Sequence, residues 1–286
     1  MTLSQQPQAA ATITVKPQPR VQPTIAFTLL ELLVVLAIIG ILAGIVLPTI
    51  HAFKPNPAAV AAQQLLDDVV RARQLAISQR TTVFMVFLPT NFLNDPNFNA
   101  STWTAEEKSK AKRVFDKQLI GYTFVALRTL GDQPGQQTKR YLSPWRTLPE
   151  GTFIAPQKFI PRNQTFSIFT NDNSGTPVLA YKIPGFYTTN GVPFPSEETA
   201  AVSLNNPYIK LPYIAFNYLG QLISGENEYI PISQGSVVYT RDRGTGEGTG
   251  AYQILETPAG NTTNTYNLVS IDWLTGRARL ERQEVR

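Results

Sequence analysis

The chain has no cysteine and one histidine, His51, in 286 residues. The first absence excludes disulfides, thiolate zinc sites and a cysteine nucleophile. The second leaves too few imidazoles for a histidine metal cluster and argues against a Ser-His-Asp triad. Charge is scarce as well, at 16% of residues, and 25 basic against 20 acidic side chains leave a net +5. The Lys and Arg are scattered, without an aromatic-basic array, so nucleic-acid binding is not indicated and no cofactor is expected. Charge is scarcest between Phe27 and Leu47, where Glu31 is the only ionisable side chain. An unpaired carboxylate at mid-bilayer costs roughly 2.5 kcal/mol or more, so Glu31 needs a partner, a shallow position, or both.

Residues 1–25 are polar and rich in Pro and Gln, with Lys16 and Arg20 as their only side-chain charges. Such a segment cannot bury a core and reads as an extended leader. Its bases precede the apolar run, which favours a cytoplasmic N-terminus and an exported remainder. From Phe27 to Leu47, at about 1.5 Å per residue, a helix would cover the thickness of a hydrocarbon core. A secretory signal would be shorter and end in a small-residue cleavage site, whereas this run continues through Pro48. Gly40 and Gly44 form a small-xxx-small pair that permits close helix packing in lipid, although Gly and Ala are common in any membrane helix. Pro48 removes one helical hydrogen bond and is a point for a kink, and Lys54-Pro55-Asn56-Pro57 is a stronger break, expected at the membrane exit.

The basic leader, Ala26, the stretch Phe27-Thr28-Leu29-Leu30-Glu31-Leu32 and the apolar helix together resemble the type IV prepilin signature. The resemblance implies cleavage between Ala26 and Phe27 by a membrane prepilin peptidase, followed by N-methylation of Phe27. Glu31 and Pro48 then fall at the fifth and twenty-second positions of the mature chain, both familiar in pilins. Ala26 departs from the usual Gly. After cleavage, Glu31 of one subunit could pair with the new α-amine of a neighbour, each charge neutralising the other in a low-dielectric bundle. The competing reading is a carboxylate that snorkels to the inner interface.

Beyond the break, Leu65, Val69, Ala72 and Ala76 recur at helical spacing and predict a helix over Ala58 to Gln79 lying on a sheet. Thr81 to Leu88 reads as the first strand. Residues 89–118 read as a surface insertion that includes a capped helix from Thr104 to about Lys117, with Lys108, Lys110, Lys112 and Arg113 on a solvated face. Further strands are expected at Tyr122 to Leu127, Gly151 to Ile154, Thr165 to Phe169 and Val178 to Ile183. Asn171 to Gly175 and Arg241 to Gly250 read as hairpin turns, residues 184–212 as a second loop insertion, and Thr275-Gly276 as the turn of a terminal hairpin. Trp145 to Gly151, Tyr213 to Gly220, Val269 to Arg277 and Arg71-Ala72-Arg73 resemble parts of the H-class minor pseudopilins of type II secretion and related minor type IV pilins.

The expectation is therefore a leader at 1–26, a transmembrane and assembly helix at 27–50 and an extracytoplasmic domain at 51–286. The fold class implied is α+β and pilin-like: a long N-terminal helix, transmembrane half plus amphipathic half, packed on a mainly antiparallel sheet with loop insertions. The resemblance implies a non-enzymatic filament subunit, single-pass in the bacterial inner membrane. Its partners would be the prepilin peptidase, other pilin or pseudopilin subunits and the inner-membrane assembly platform. A signal-anchored module gripping a ligand or glycan through Trp103, Trp145 and Trp273 is the alternative, and scattered acids such as Glu197, Glu198 and Asp242 make no catalytic constellation.

Overall fold

The computed structural model describes residues 28–52, 56–100, 103–129, 131–133, 138–171, 174–199, 201, 208–244, 248–264 and 267–282. The chain divides into two compact units, Met1–Lys54 and Pro55–Arg286. The first holds helix α1 (Leu29–Ala52), which runs through Pro48. The second opens with α2 (Pro57–Gln79), whose start has a local cause. Each Pro of Lys54-Pro55-Asn56-Pro57 disfavours helical backbone at the residue before it. Asn56 is extended, its side chain accepts from the Ala58 amide at 3.1 Å, and Pro57 takes the first helical position, where a missing N–H costs nothing.

The remaining elements of the second unit are β1 (Val83–Phe87), α3 (Pro96–Ala100), α4 (Ala105–Arg113), β2 (Gly121–Ala126), β3 (Arg140–Tyr141), β4 (Arg146–Thr147), β5 (Thr152–Ile154), β6 (Thr165–Asn171), β7 (Pro177–Pro184), β8 (Tyr187–Thr189), β9 (Leu211–Phe216), β10 (Glu228–Arg241), β11 (Gly248–Glu256), α5 (Asn261–Asn264), β12 (Asn267–Ile271) and β13 (Ala278–Arg282). They form an α+β unit whose strand pairs are antiparallel among the described residues. One sheet runs β3-β2-β1-β9-β8 with β4 also on β2, a second runs β11-β10-β12-β13 with β5 also on β10, and β6 and β7 pair alone.

The expected pilin-like plan is corrected on two counts. It had one long helix, transmembrane half continuing into amphipathic half, on a single sheet; the structure has two separate helices in two separate units, divided at the Pro-Asn-Pro break. The buried stripe of α2, from Ala58 through Leu65 and Val69 to Ala76, joins one core with Met85, Phe87, Tyr122 and Phe216 of the first sheet and Ile230, Ile232, Val269 and Ile271 of the second.

The second correction concerns the two presumed insertions, whose described residues supply buried side chains to a second core. Strands β1 and β2 are buried at every position, which a sheet with one wet face does not allow. Phe84, Val86 and Val125 point away from α2 into a second core made by Phe92, Phe98, Trp103 and Phe115 from residues 89–118 and by Val192, Phe194 and Ile209 from residues 184–212. Phe194 sits edge-on to Phe92 at 5.3 Å and to Trp145 at 5.8 Å. The Trp145 indole and the Tyr141 hydroxyl donate to the carbonyls of Pro195 and Pro193, holding the segment down. The capped helix is present as expected, with a reciprocal Thr104–Glu107 capping box opening α4.

A buried charge cluster ties the second sheet to the turn at Pro156–Phe159. Lys158, fully buried, donates to Glu228 and to the Pro184 carbonyl, both at 2.8 Å, and its ammonium lies 4.7 Å from the centre of the Phe186 ring. Arg162 adds a 2.6 Å contact to the other oxygen of Glu228. Burial pulls the Lys158 ammonium down to about 8, with Glu228 opposing the shift. An unfolded Lys titrates near 10.4, so from about pH 8 to 10 the unfolded chain keeps a proton that the folded chain has released, and stability rises with pH.

Two measurements check this description. Phe194→Ala should cost about 3–5 kcal/mol in urea unfolding of the full chain in detergent micelles, as for a core aromatic; a cost below about 1 kcal/mol would return residues 184–212 to the surface. Between pH 8 and 10 the native chain should gain up to about 3 kcal/mol relative to Lys158→Met. Parallel pH curves for the two would refute the buried-ammonium account.

Candidate functional site

Helix α1 carries the sequence-predicted site. Its first turn is closed by Thr28, whose hydroxyl accepts from the Glu31 amide at 3.2 Å and whose carbonyl accepts from the Leu32 amide at 3.2 Å. Thr28-Leu29-Leu30-Glu31 is thus a capping sequence, with Glu31 three residues inside the cap. A carboxylate in a first turn faces the free amides and the positive end of the helix dipole, worth about 0.3–1 kcal/mol. This is a local reason for Glu31 that the apolar run concealed. The signal was present in the sequence: a Thr three residues before a Glu.

Every described side chain from Thr28 to Leu42 is exposed, and α1 is apolar on all faces. Eleven large apolar side chains lie open along it, Leu29 at 82% and Ile41 at 64%. At about 1.5–3 kcal/mol for each such side chain removed from water, roughly 15 kcal/mol or more favours covering them. Gly40 has open space where a Cβ would sit, so nothing among the described residues requires a glycine there, although glycine costs a helix about 1 kcal/mol relative to alanine. Gly44 and Pro48 lie on α1 beyond its described side chains, and Ala26 and Phe27 lie outside the described residues.

Among the described residues no helix is long and apolar enough to cross a membrane. The described side chains of α1 end at Leu42, short of the roughly 20 residues that a hydrocarbon core needs. The single-pass expectation is therefore not carried by the described part of the helix.

The other candidates do not converge. Trp103 and Trp145 are packed in the second core, and of the three tryptophans only Trp273 is exposed. Asp68 is buried, accepting from Tyr122 at 2.5 Å and pairing with Arg146 at 3.1 Å, while its neighbour Asp67 is exposed and accepts from Gln63. Burial, together with the Asp68 hydrogen bond, pushes the Tyr122 hydroxyl well above the ordinary tyrosine range. Glu197 accepts from the Tyr141 amide and Glu198 pairs with Lys110, so that pair is spent on structure. Asn171 to Gly175 closes the β6–β7 hairpin, with residues 172–173 outside the described set. Among the described residues no group of three or more His, Cys, Asp or Glu is placed to hold a metal.

Residues missed at the sequence level include Arg73, which reaches from α2 to the carbonyls of Gly220 and Thr275 at 3.2 and 2.9 Å. Its signal was faint: Arg71 and Arg73 stand two residues apart on the same helix, and nothing in their spacing tells which of them reaches inward.

The cap is testable by hydrogen exchange in micelles. Thr28→Ala should speed exchange at the Glu31 amide about fivefold, corresponding to about 1 kcal/mol, and leave Ile38 unchanged. Equal protection in both chains would remove the cap from the account of Glu31. Compared with family models, with curated proteins and with solved structures, the chain has no match.

Proposed function

We propose that the chain is a non-enzymatic subunit of a prepilin-processed, membrane-anchored assembly of the kind used in protein secretion or in type IV pili. The observation that supports this best is the join of Ala26-Phe27-Thr28-Leu29-Leu30-Glu31 to a helix that exposes apolar side chains all round. In this reading residues 1–26 are removed by a prepilin peptidase and Phe27 is N-methylated. The apolar stretch Phe27 to Leu47 anchors the chain in the inner membrane, and the unit from Pro55 onward lies on the extracytoplasmic side.

Assembly then exchanges lipid for neighbouring helices around α1. Gly40 and Gly44 let those helices approach, and Pro48 gives each a point for a kink ahead of the exit at Lys54-Pro55-Asn56-Pro57. The Glu31 carboxylate meets the α-amine of an adjacent subunit in a medium where either charge alone is costly. The first-turn position of Glu31 suits this role. A carboxylate already favoured by its own helix end can be held ready at small cost until the neighbouring amine arrives. An inner-membrane assembly platform would supply the extraction force that such a transfer requires.

Intact-mass analysis of membrane extracts from cells containing a prepilin peptidase should show a chain that begins at methylated Phe27. A chain that keeps residues 1–26 in those cells would refute the processing step. Glu31→Ala should leave the unit from Pro55 onward folded and lower incorporation into the assembly at least about tenfold; unaltered incorporation would refute the charge pair.

A further inference from the structure

The buried pair of Lys158 and Glu228 is held in place from two sides. Lys158 lies in the turn at Pro156–Phe159, where its amide donates to the Ala155 carbonyl and its carbonyl accepts from the Phe186 amide, both at 2.9 Å. Glu228 opens β10 in register with Ile271 of β12. The side chains carried by these two backbones meet at 2.8 Å, with 0% and 2% exposure. Phe186 covers the ammonium at 4.7 Å and is itself backed by the Phe159 ring, edge-on at 5.4 Å. An amine and a carboxyl group fixed in contact where water is excluded need no encounter in order to react.

The charges around the pair are even. Arg162 contacts Glu226 as well as Glu228, so two cations face two carboxylates. A proton passed from Lys158 to Glu228 therefore leaves Arg162 opposed by Glu226, and it turns the pair into a neutral amine beside a carboxylic acid. Burial favours that transfer, since it already draws the ammonium down to about 8. Arg162 Nη1 lies 2.6 Å from Glu228 Oε1, where negative charge grows as an amine adds to the carboxyl carbon. The product of such an addition is provided for as well. The Pro184 carbonyl, 2.8 Å from Lys158 Nζ, accepts the N–H that an amide retains, and Arg162 donates to its oxygen. Two desolvated charges become one neutral group with both of its hydrogen bonds made.

We propose that Lys158 and Glu228 join in an intramolecular isopeptide bond that the folded chain forms by itself, with Arg162 as donor to the developing oxyanion. The Lys158 Nζ lone pair adds to Glu228 Cδ, and the bond from Cδ to Oε2 breaks. Oε2 leaves as water with two of the three ammonium protons, so both charges vanish and no other reactant is needed. The water departs along Arg162 and Glu226, whose side chains are 18% and 61% exposed. The ionic pair described above is the state before closure, and its pH dependence belongs to the unclosed chain. Closure ties the turn ahead of β6 to the start of β10 in a chain without cysteine, by a link that no thiol opens. It depends on the fold of the second unit and not on the assembly reading.

Mass spectrometry of a protease digest of the denatured full-length chain reads the bond directly, whatever has happened at Phe27. The fragments that carry Lys158 and Glu228 should appear as one branched peptide, lighter than their sum by one water. Fragmentation of that peptide should place the link between the two side chains. Lys158→Met and Glu228→Ala should each return separate peptides at full mass. In chain sampled over time after cell-free synthesis into detergent micelles, Arg162→Met should close at least about tenfold more slowly, as for loss of an oxyanion donor. Separate peptides from the unsubstituted chain after prolonged incubation at about pH 8, where the ammonium titrates, would overturn the proposal and leave the pair ionic. A water loss that persists in Lys158→Met would overturn it by placing the condensation elsewhere, and an unchanged rate in Arg162→Met would overturn the part given to Arg162.

Discussion

The structure of the second unit depends on how closely α2 can approach two sheets at once. Its buried stripe is mostly alanine, at positions 58, 61, 62, 72 and 76, with Leu65 and Val69 as the only large members. Small side chains let the helix axis sink between β1, β2 and β9 on one side and β10, β12 and β13 on the other. Larger ones would hold the sheets apart and open voids where Phe87, Phe216, Ile230 and Ile271 now meet. The flanks of the same helix then carry the polar locks, Gln64 and Asp68 on one side reaching β2 and β4 of the first sheet and Arg73 on the other reaching two turns.

The first sheet is a middle layer, and this shapes the rest of the unit. Burying both faces of β1 and β2 requires a second cover, which the chain supplies from two separated stretches rich in Asn and Pro. Their aromatic residues, Phe92, Phe98, Trp103, Phe115 and Phe194, do not repeat at a helical or strand period. The cover is held by rings, caps and a few hydrogen bonds to proline carbonyls. Little regular backbone pairing is needed there, because the aromatic packing supplies the cohesion.

What could be read from the sequence followed this division between periodic and aperiodic packing. The α2 stripe, the Thr104–Glu107 cap, the Pro-Asn-Pro break and the hairpins at Asn171 to Gly175 and Thr275-Gly276 were legible because each rests on local spacing or turn chemistry. The second core was not, since Asn and Pro around aperiodic aromatics look like loops until a sheet face needs them. A sharper sign was available in Val83 to Leu88, six residues without a polar side chain, too continuous for a strand with one wet face. The Thr28 cap rests on a Thr three residues before Glu31, a spacing that an apolar run also contains by chance. The Lys158–Glu228 pair had no sequence signal at all, because the two residues lie on distant elements joined only by the fold.

The break at Lys54-Pro55-Asn56-Pro57 also has a mechanical meaning. Tension on the chain at Lys54 enters α2 at its N-terminal end, beside the Asn56 cap. A pull along the helix axis loads the whole alanine stripe, the Gln64 and Asp68 locks and the Arg73 clamp together, in shear. A pull across the axis peels the helix from its first turn, one small side chain at a time. The direction of force therefore decides whether the unit resists as one body or opens from Ala58 onward.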